Sequence, residues 1–121
     1  MIITQIIGGL GNQMFQYAAG RALSLQKGTR LTLDISAFQN YGLHQGFELQ
    51  RLFNCSADIV SKQDIRSVLG WQSSPSVRRV LSRRFFLSLS SKHFVSEPHF
   101  QYWPGIKSVS KESYLSGYWQ S

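Results

Sequence analysis

Residues 2–18 read IITQIIGGLGNQMFQYA, and this stretch decides the fold class of the chain. Its β-branched apolar run from Ile2 to Ile7 predicts a buried strand. Gly8, Gly9 and Gly11 follow at once. Because glycine lacks a Cβ and tolerates positive φ, these residues predict a tight turn whose backbone a ligand can approach closely.

A helix is predicted after the turn, with Asn12 as its N-cap, Lys27 in its last turn and Gly28 as its stop. Apolar residues at helical spacing predict its buried face: Met14, Phe15, Ala18, Ala19, Ala22 and Leu23. Arg30–Asp34 is the next predicted strand, so the chain opens with a right-handed parallel βαβ unit. We therefore expect an α/β fold, Rossmann-like, with a small parallel sheet flanked by helices.

The turn has more than one interpretation on physical grounds. A strand, a glycine turn and a helix N-terminus offer N–H groups and a positive dipole end to a phosphate, which favours an anion or nucleotide-sugar site. A plain connection without a ligand would have the same pattern. A dinucleotide site of the G-x-G-x-x-G type could use Asp34 to bind a ribose, but Met14 stands where the third glycine belongs.

Later segments predict further elements of the same fold. Phe47–Phe53 is either a short extended piece or a loop. Ser61 opens a helix with a capping-box pattern completed by Asp64, and Gly70 ends it. Another helix is predicted from Pro75. Strands are predicted at Phe94–Val95 and Tyr114–Gln120.

Candidate acid–base and metal-binding residues are few. Asp34 and Glu97 are the candidate carboxylates for a general base. Both are interpreted as structural, because the sequence pairs neither of them with a catalytic partner. His44, His93 and His99 lack metal-ligand spacing and are interpreted as surface or hydrogen-bonded histidines.

Composition narrows the functional classes. The 121 residues suffice for one domain, and 13 Lys+Arg against 6 Asp+Glu give a net charge of +7. The single cysteine, Cys55, excludes an internal disulfide. No apolar run approaches the roughly 20 residues that span a bilayer. We expect a cytoplasmic, bacterial chain.

Four arginines form the densest charge cluster, within the helix predicted after Pro75: Arg78, Arg79, Arg83 and Arg84. A solvated helix face is the favoured interpretation. The alternative is peripheral contact with the inner membrane, as in a non-catalytic basic module that binds a membrane surface or a protein partner. Nucleic acid is not expected as a partner, because no helix-turn-helix or stacking pattern accompanies these arginines.

Two stretches resemble one enzyme family. Gly8 to Ala18 resembles, through eleven consecutive residues, the opening of the α-1,2-fucosyltransferases of glycosyltransferase family 11. Gly117-Tyr118-Trp119-Gln120-Ser121 resembles a second segment of that family, in the same order along the chain.

The resemblance implies transfer of L-fucose from GDP-fucose to the 2-hydroxyl of an acceptor sugar, usually galactose. It implies a two-domain fold of the GT-B type, inversion at the anomeric carbon, no metal, and no cofactor besides GDP-fucose as donor substrate. It also implies that the turn contacts the donor or the acceptor, through Gly8, Gly9, Leu10, Gly11, Asn12 and Gln13. The catalytic residues are not identified by it.

The family's donor motif, His-x-Arg-Arg-x-Asp, has no match here. Ser76–Leu81 contains the arginine pair, but Ser76 and Leu81 replace the His and the Asp. In the family this motif lies beyond the equivalent of Ser121. We therefore expect residues 1–121 to form a single N-terminal, acceptor-side domain without the donor-binding domain, and to be inactive alone.

Overall fold

The computed structural model describes residues 1–40, 46–55, 57–74, 76–77 and 92–120. Five strands lie within these ranges: β1 (Ile2–Gln5), β2 (Leu31–Asp34), β3 (Asp58–Ile59), β4 (Phe94–Ser96) and β5 (Ser113–Ser116). The α-helices described are α1 (Leu10–Lys27), α2 (Leu49–Phe53) and α3 (Lys62–Leu69). Short 3₁₀ segments are Ser36–Asn40, Gly70–Ser73 and Pro104–Ser108.

The strands form one sheet in the order β3-β2-β1-β5-β4, and every pairing in it is parallel. Ile3 of β1 lies opposite Thr32 on one side and Tyr114 on the other. The predicted βαβ opening and the Rossmann-like α/β class are thus confirmed. The order along the sheet reverses at β1, since β2 flanks it on one side and the last strand, β5, on the other.

Both faces of the sheet are covered by apolar side chains, as expected for parallel strands. The α1 face holds one buried cluster: Ile2, Ile6, Leu23, Leu31, Leu33, Val95, Leu115 and Trp119. The α3 face holds the other: Met1, Ile3, Ile65, Val68, Leu69 and Tyr114. The chain is therefore layered helix, sheet, helix, with β1 buried between the two clusters.

Helix α1 differs from its prediction in where it begins. It starts at Leu10, and Gly9 in extended conformation is the N-cap, so the prediction of Asn12 as N-cap was wrong. Gly8, with φ of +77°, turns the chain sharply enough for the helix to begin three residues earlier than predicted. The end of the helix was predicted correctly, because Gly28 adopts the left-handed conformation and its N–H bonds back to the last turn.

The buried face of α1 was predicted correctly only in part: Leu23 is buried and Ala19 packs against the same core cluster. Met14 and Phe15 are 44% and 48% exposed, and Ala18 and Ala22 are exposed as well. The residues that do face the sheet are largely polar or small: Gln13, Gln16, Gly20, Leu23 and Ser24. Periodicity assigns apolar side chains to the core, whereas here hydrogen bonding decides which face is buried.

The predictions for the later helices and strands were confirmed in part. The capping box of Ser61 and Asp64 is confirmed, as is the end of α3 at Gly70. Leu49–Phe53 is an α-helix, so neither the extended piece nor the loop predicted for Phe47–Phe53 was right. The last strand ends at Ser116 rather than Gln120, because the backbone leaves the sheet at Gly117.

The segment predicted to carry the basic helix lies largely outside the described residues. The residues outside the described ranges include Pro75 and the four arginines, Arg78, Arg79, Arg83 and Arg84. His44, from a different segment, also lies outside them. Among the described residues, no helix combines the length and the apolar character needed to cross a membrane.

Candidate functional site at the switch point of the sheet

The glycine turn leaves the carboxyl end of β1 and leads directly into α1. Ile6 still donates to the Asp34 carbonyl at 2.9 Å, so the turn begins from a fixed point at the end of the sheet. A Cβ on Gly8 would stand 2.6 Å from Asn12 Nδ2, and its φ is positive, so this position needs glycine. A Cβ on Gly11 would meet nothing within 4 Å. Gly11 therefore presents open space at the start of the helix.

The N-terminus of α1 is electrostatically positive. No side chain caps the helix, and no acidic residue lies in its first turn. The first N–H groups of a helix have no intrahelical acceptor, and the helix dipole places partial positive charge beside them. This end of α1 is thus suited to an anion that approaches over Leu10 and Gly11.

Gln13 is fully buried and holds the turn to a neighbouring loop. Its Nε2 donates to the carbonyls of Gly8 at 3.0 Å and Gly46 at 2.9 Å, while its Oε1 accepts from the Glu48 N–H at 3.0 Å. The amide has one remaining lone pair and no exposed surface. In this structure Gln13 positions the backbone of the turn.

Gln16, one turn further along α1, connects the turn to β5. Its Oε1 accepts from the Ile7 N–H at 3.0 Å, and its Nε2 donates to the Gly117 carbonyl at 3.1 Å. The side chain is buried, so these bonds are made away from solvent and cannot easily be replaced by water. Two loops that are a hundred residues apart in sequence are joined through one amide.

The loop after β5 is fixed by a carboxylate. Glu97 accepts from the Tyr118 N–H at 2.8 Å and from the Trp119 N–H at 3.0 Å. A Cβ on Gly117 would lie 2.5 Å from the Glu97 Cβ, so the close approach needs glycine here. Glu97 thus has the structural role expected from the sequence.

The two sequence stretches, Gly8–Ala18 and Gly117–Ser121, meet in space as far as they are described. Besides the Gln16 bridge, Gln120 Nε2 donates to Asn12 Oδ1 at 2.6 Å on the exposed side. Their meeting point is the crevice outside the carboxyl ends of β1 and β5, where the strand order reverses. Ligands of open α/β sheets bind at such switch points. Sequence reasoning noticed both stretches but could not place one against the other.

The remaining candidate residues have structural partners. Asp34 is buried, and its carboxylate accepts from the Tyr114 hydroxyl at 2.6 Å and from the Ser36 N–H at 3.0 Å, so it is not presented to a ribose. His93 and His99 donate through Nδ1 to the carbonyls of Glu112 and Gln101. Burial, reinforced by Cys55, raises the pKa of Tyr17 above its ordinary value.

A separate cleft of about 380 Å³ shares no residue with the crevice; it is lined by Arg21, Arg30, Leu31, Gln50, Ala57 and Asp58. Arg30 is paired with Asp64 at 3.1 Å, which partly neutralises the positive charge there. The crevice at the switch point combines the glycine turn, the helix end and the second sequence stretch, and is therefore the candidate site.

The fold and this crevice define the class of the chain as a Rossmann-like α/β domain with a candidate ligand site at the switch point of its sheet. Comparison with known proteins shows a similarity: the chain is 35% identical over all 121 residues to the alpha-1,2-colitosyltransferase of Escherichia coli. It spans 39% of the length of that curated relative. No family model matches the chain. No solved structure matches it either.

Proposed function

We propose that the chain is the acceptor-side domain of an inverting, metal-independent α-1,2-fucosyltransferase that transfers L-fucose from GDP-fucose to the 2-hydroxyl of a galactoside. The observation that carries the proposal is the meeting of the glycine turn with the Gly117–Gln120 loop, beside an uncapped helix N-terminus. The name of the Escherichia coli relative includes an α-1,2 linkage, which favours the 2-hydroxyl.

In the proposed reaction the acceptor oxygen attacks the anomeric carbon of the donor as the bond from that carbon to the diphosphate oxygen breaks. The hydroxyl proton passes to a general base, and GDP leaves with added negative charge. The positive end of α1 and the N–H groups beside Gly11 stabilise that charge, because fixed dipoles aimed at a developing anion need no reorganisation. Gln13 and Gln16 act as positioning residues, and Asn12 faces the crevice.

Donor binding is the first test. GDP-fucose is titrated calorimetrically into residues 1–121 and into a version extended through any downstream reading frame. We expect binding in the extended version only, because the arginine motif that holds the pyrophosphate in the family is not found in this chain. Tight binding by residues 1–121 alone would contradict that claim and place the donor site on the glycine turn. A colitose nucleotide in the same titration decides between the two donor sugars.

The glycine turn is tested separately by Gly11→Leu in the version that binds donor. Open space around Gly11 means that the fold accepts the side chain, while the side chain fills the proposed ligand space. We expect loss of transfer with a melting temperature no lower than that of wild type. Unchanged transfer, or unfolding as the only effect, would favour a plain structural turn. Trp71→Ala is the control, because this side chain is 70% exposed and lies outside the crevice.

A further inference from the structure

Two aromatic rings, the exposed Phe100 and the half-buried Tyr118, form a pair beside the crevice. Their centroids are 6.4 Å apart and their planes are inclined by 35°. Phe100 is 70% exposed, and the nearby Tyr102 is 53% exposed. Large apolar side chains that gather on a surface commonly mark a binding site. We refer to Phe100 and Tyr118 as the aromatic pair.

The loops that carry the aromatic pair are held in place. Glu97 bonds the backbone N–H of Tyr118 itself, and His99 Nδ1 donates to the Gln101 carbonyl at 3.1 Å. The Lys107 ammonium lies 6.0 Å from the centre of the Tyr102 ring. The backbone that carries Tyr118 is therefore fixed relative to β4 and β5, which lowers the ordering cost of binding at this ring.

The aromatic pair is continuous with the candidate site. Tyr118 lies between Gly117, whose carbonyl is bonded to Gln16, and Gln120, whose amide is bonded to Asn12. A molecule lying on the rings would have one end at the crevice. This placement distinguishes the aromatic pair from isolated exposed residues such as Trp71.

The chemistry around the rings fits a neutral sugar. The exposed polar side chains on these loops include two amides, Gln101 and Gln120, which can both donate to and accept from hydroxyls, and the imidazole of His99. Both carboxylate oxygens of Glu97 are already used by backbone N–H groups. The negative face of an aromatic ring attracts the partly positive C–H groups of a pyranose.

We propose that the aromatic pair binds the sugar ring of the acceptor and directs it into the crevice. The inference rests on the proposed function, since it assigns the acceptor to one side of that site. The proposed ligand is a neutral pyranose, and the residues proposed to bind it are Phe100 and Tyr118.

The test is saturation-transfer NMR with three neutral probes: methyl β-galactopyranoside, lactose and N-acetyllactosamine. We expect at least one probe to bind, and Phe100→Ala to weaken its binding by roughly tenfold. Tyr118→Ala should do the same, whereas Trp71→Ala, which removes an equally exposed aromatic ring, should leave binding unchanged. Thermal melting checks that each variant is folded.

Several results would overturn the proposal: no probe binds, Phe100→Ala binds as well as wild type, or Trp71→Ala weakens binding equally. The donor titrations keep this failure apart from failure of the proposed function. Donor binding together with insensitivity of the sugar probes to Phe100→Ala refutes the aromatic pair alone. Sugar binding that depends on Phe100, with no donor binding in any version, refutes the transferase assignment and leaves the sugar site standing.

Discussion

Replacing Gln13 by leucine should destabilise the chain strongly, although leucine itself favours both helix and burial. Gln13 is fully buried on α1 and makes three hydrogen bonds, to the carbonyls of Gly8 and Gly46 and from the N–H of Glu48. Leucine has no polar atom for any of them. The change therefore releases the glycine turn and the loop at Gly46 from one another.

The magnitude follows from those three bonds. A neutral hydrogen bond contributes about 1 kcal/mol net, so their loss costs about 3 kcal/mol, and backbone groups left without partners raise that cost. Extra apolar burial by leucine offsets about 1 kcal/mol, and water can reach the partly buried carbonyls. We expect a loss of about 2–3 kcal/mol in the free energy of unfolding, a large part of the stability of a small domain.

The assay is urea unfolding followed by circular dichroism, with Gln26→Leu as the matched control. Gln26 lies on the same helix but is exposed, so the same chemical change there should stay within about 0.5 kcal/mol of wild type. The reasoning would be refuted if Gln13→Leu were as stable as the control. That result would mean that the buried amide contributes nothing beyond filling space.

Three further predictions concern glycine packing, helix propensity and pH. Gly20→Ala should lower the free energy of unfolding in urea by roughly 2 kcal/mol, because the added Cβ would overlap Thr4 Oγ1. The double variant Gly20→Ala/Thr4→Ala should regain part of that loss. Gly11→Ala should instead stabilise by about 0.5 kcal/mol in the same assay, since the space is open and alanine favours helix; a destabilised variant would contradict the open geometry. Hydrogen bonds from Ser61 hold the pKa of Asp64 below its ordinary value of 3.8. The contribution of Asp64 to stability is therefore present above that pH and is lost as pH falls through the lower pKa of the folded state. The difference in melting temperature between wild type and Asp64→Asn should accordingly shrink in strong acid, and a difference that stays constant with pH would contradict this cause.

Much of the fold could be predicted because its signals are local. The run Ile2–Ile7 predicted β1, Gly28 predicted the end of α1, and Ser61 with Asp64 predicted the start of α3. Each signal depends on backbone preference or on a hydrogen bond within a few residues. Phe47–Phe53 was missed because a five-residue helix has too few positions for its periodicity to differ from that of a loop.

The prediction for the buried face of α1 was wrong at most of its positions for a reason specific to this chain. Gln13 and Gln16 take buried positions because carbonyl and N–H groups from distant loops meet them there, and Met14 and Phe15 are left exposed. Hydrophobic pattern ranks side chains by their affinity for water. It contains no information about hydrogen-bond partners that lie 33 and 101 residues away along the chain.

The sequence by itself determined the parallel βαβ opening, the tight glycine turn and the positive helix end, since each depends on residues adjacent in the chain. Only the tertiary structure decided that Gly117–Gln120 lies against that turn, that Glu97 holds it there, and that Phe100 pairs with Tyr118 beside the crevice. The physical reason is the strand order. By inserting β5 next to β1, the fold joins the two ends of the described chain at one point.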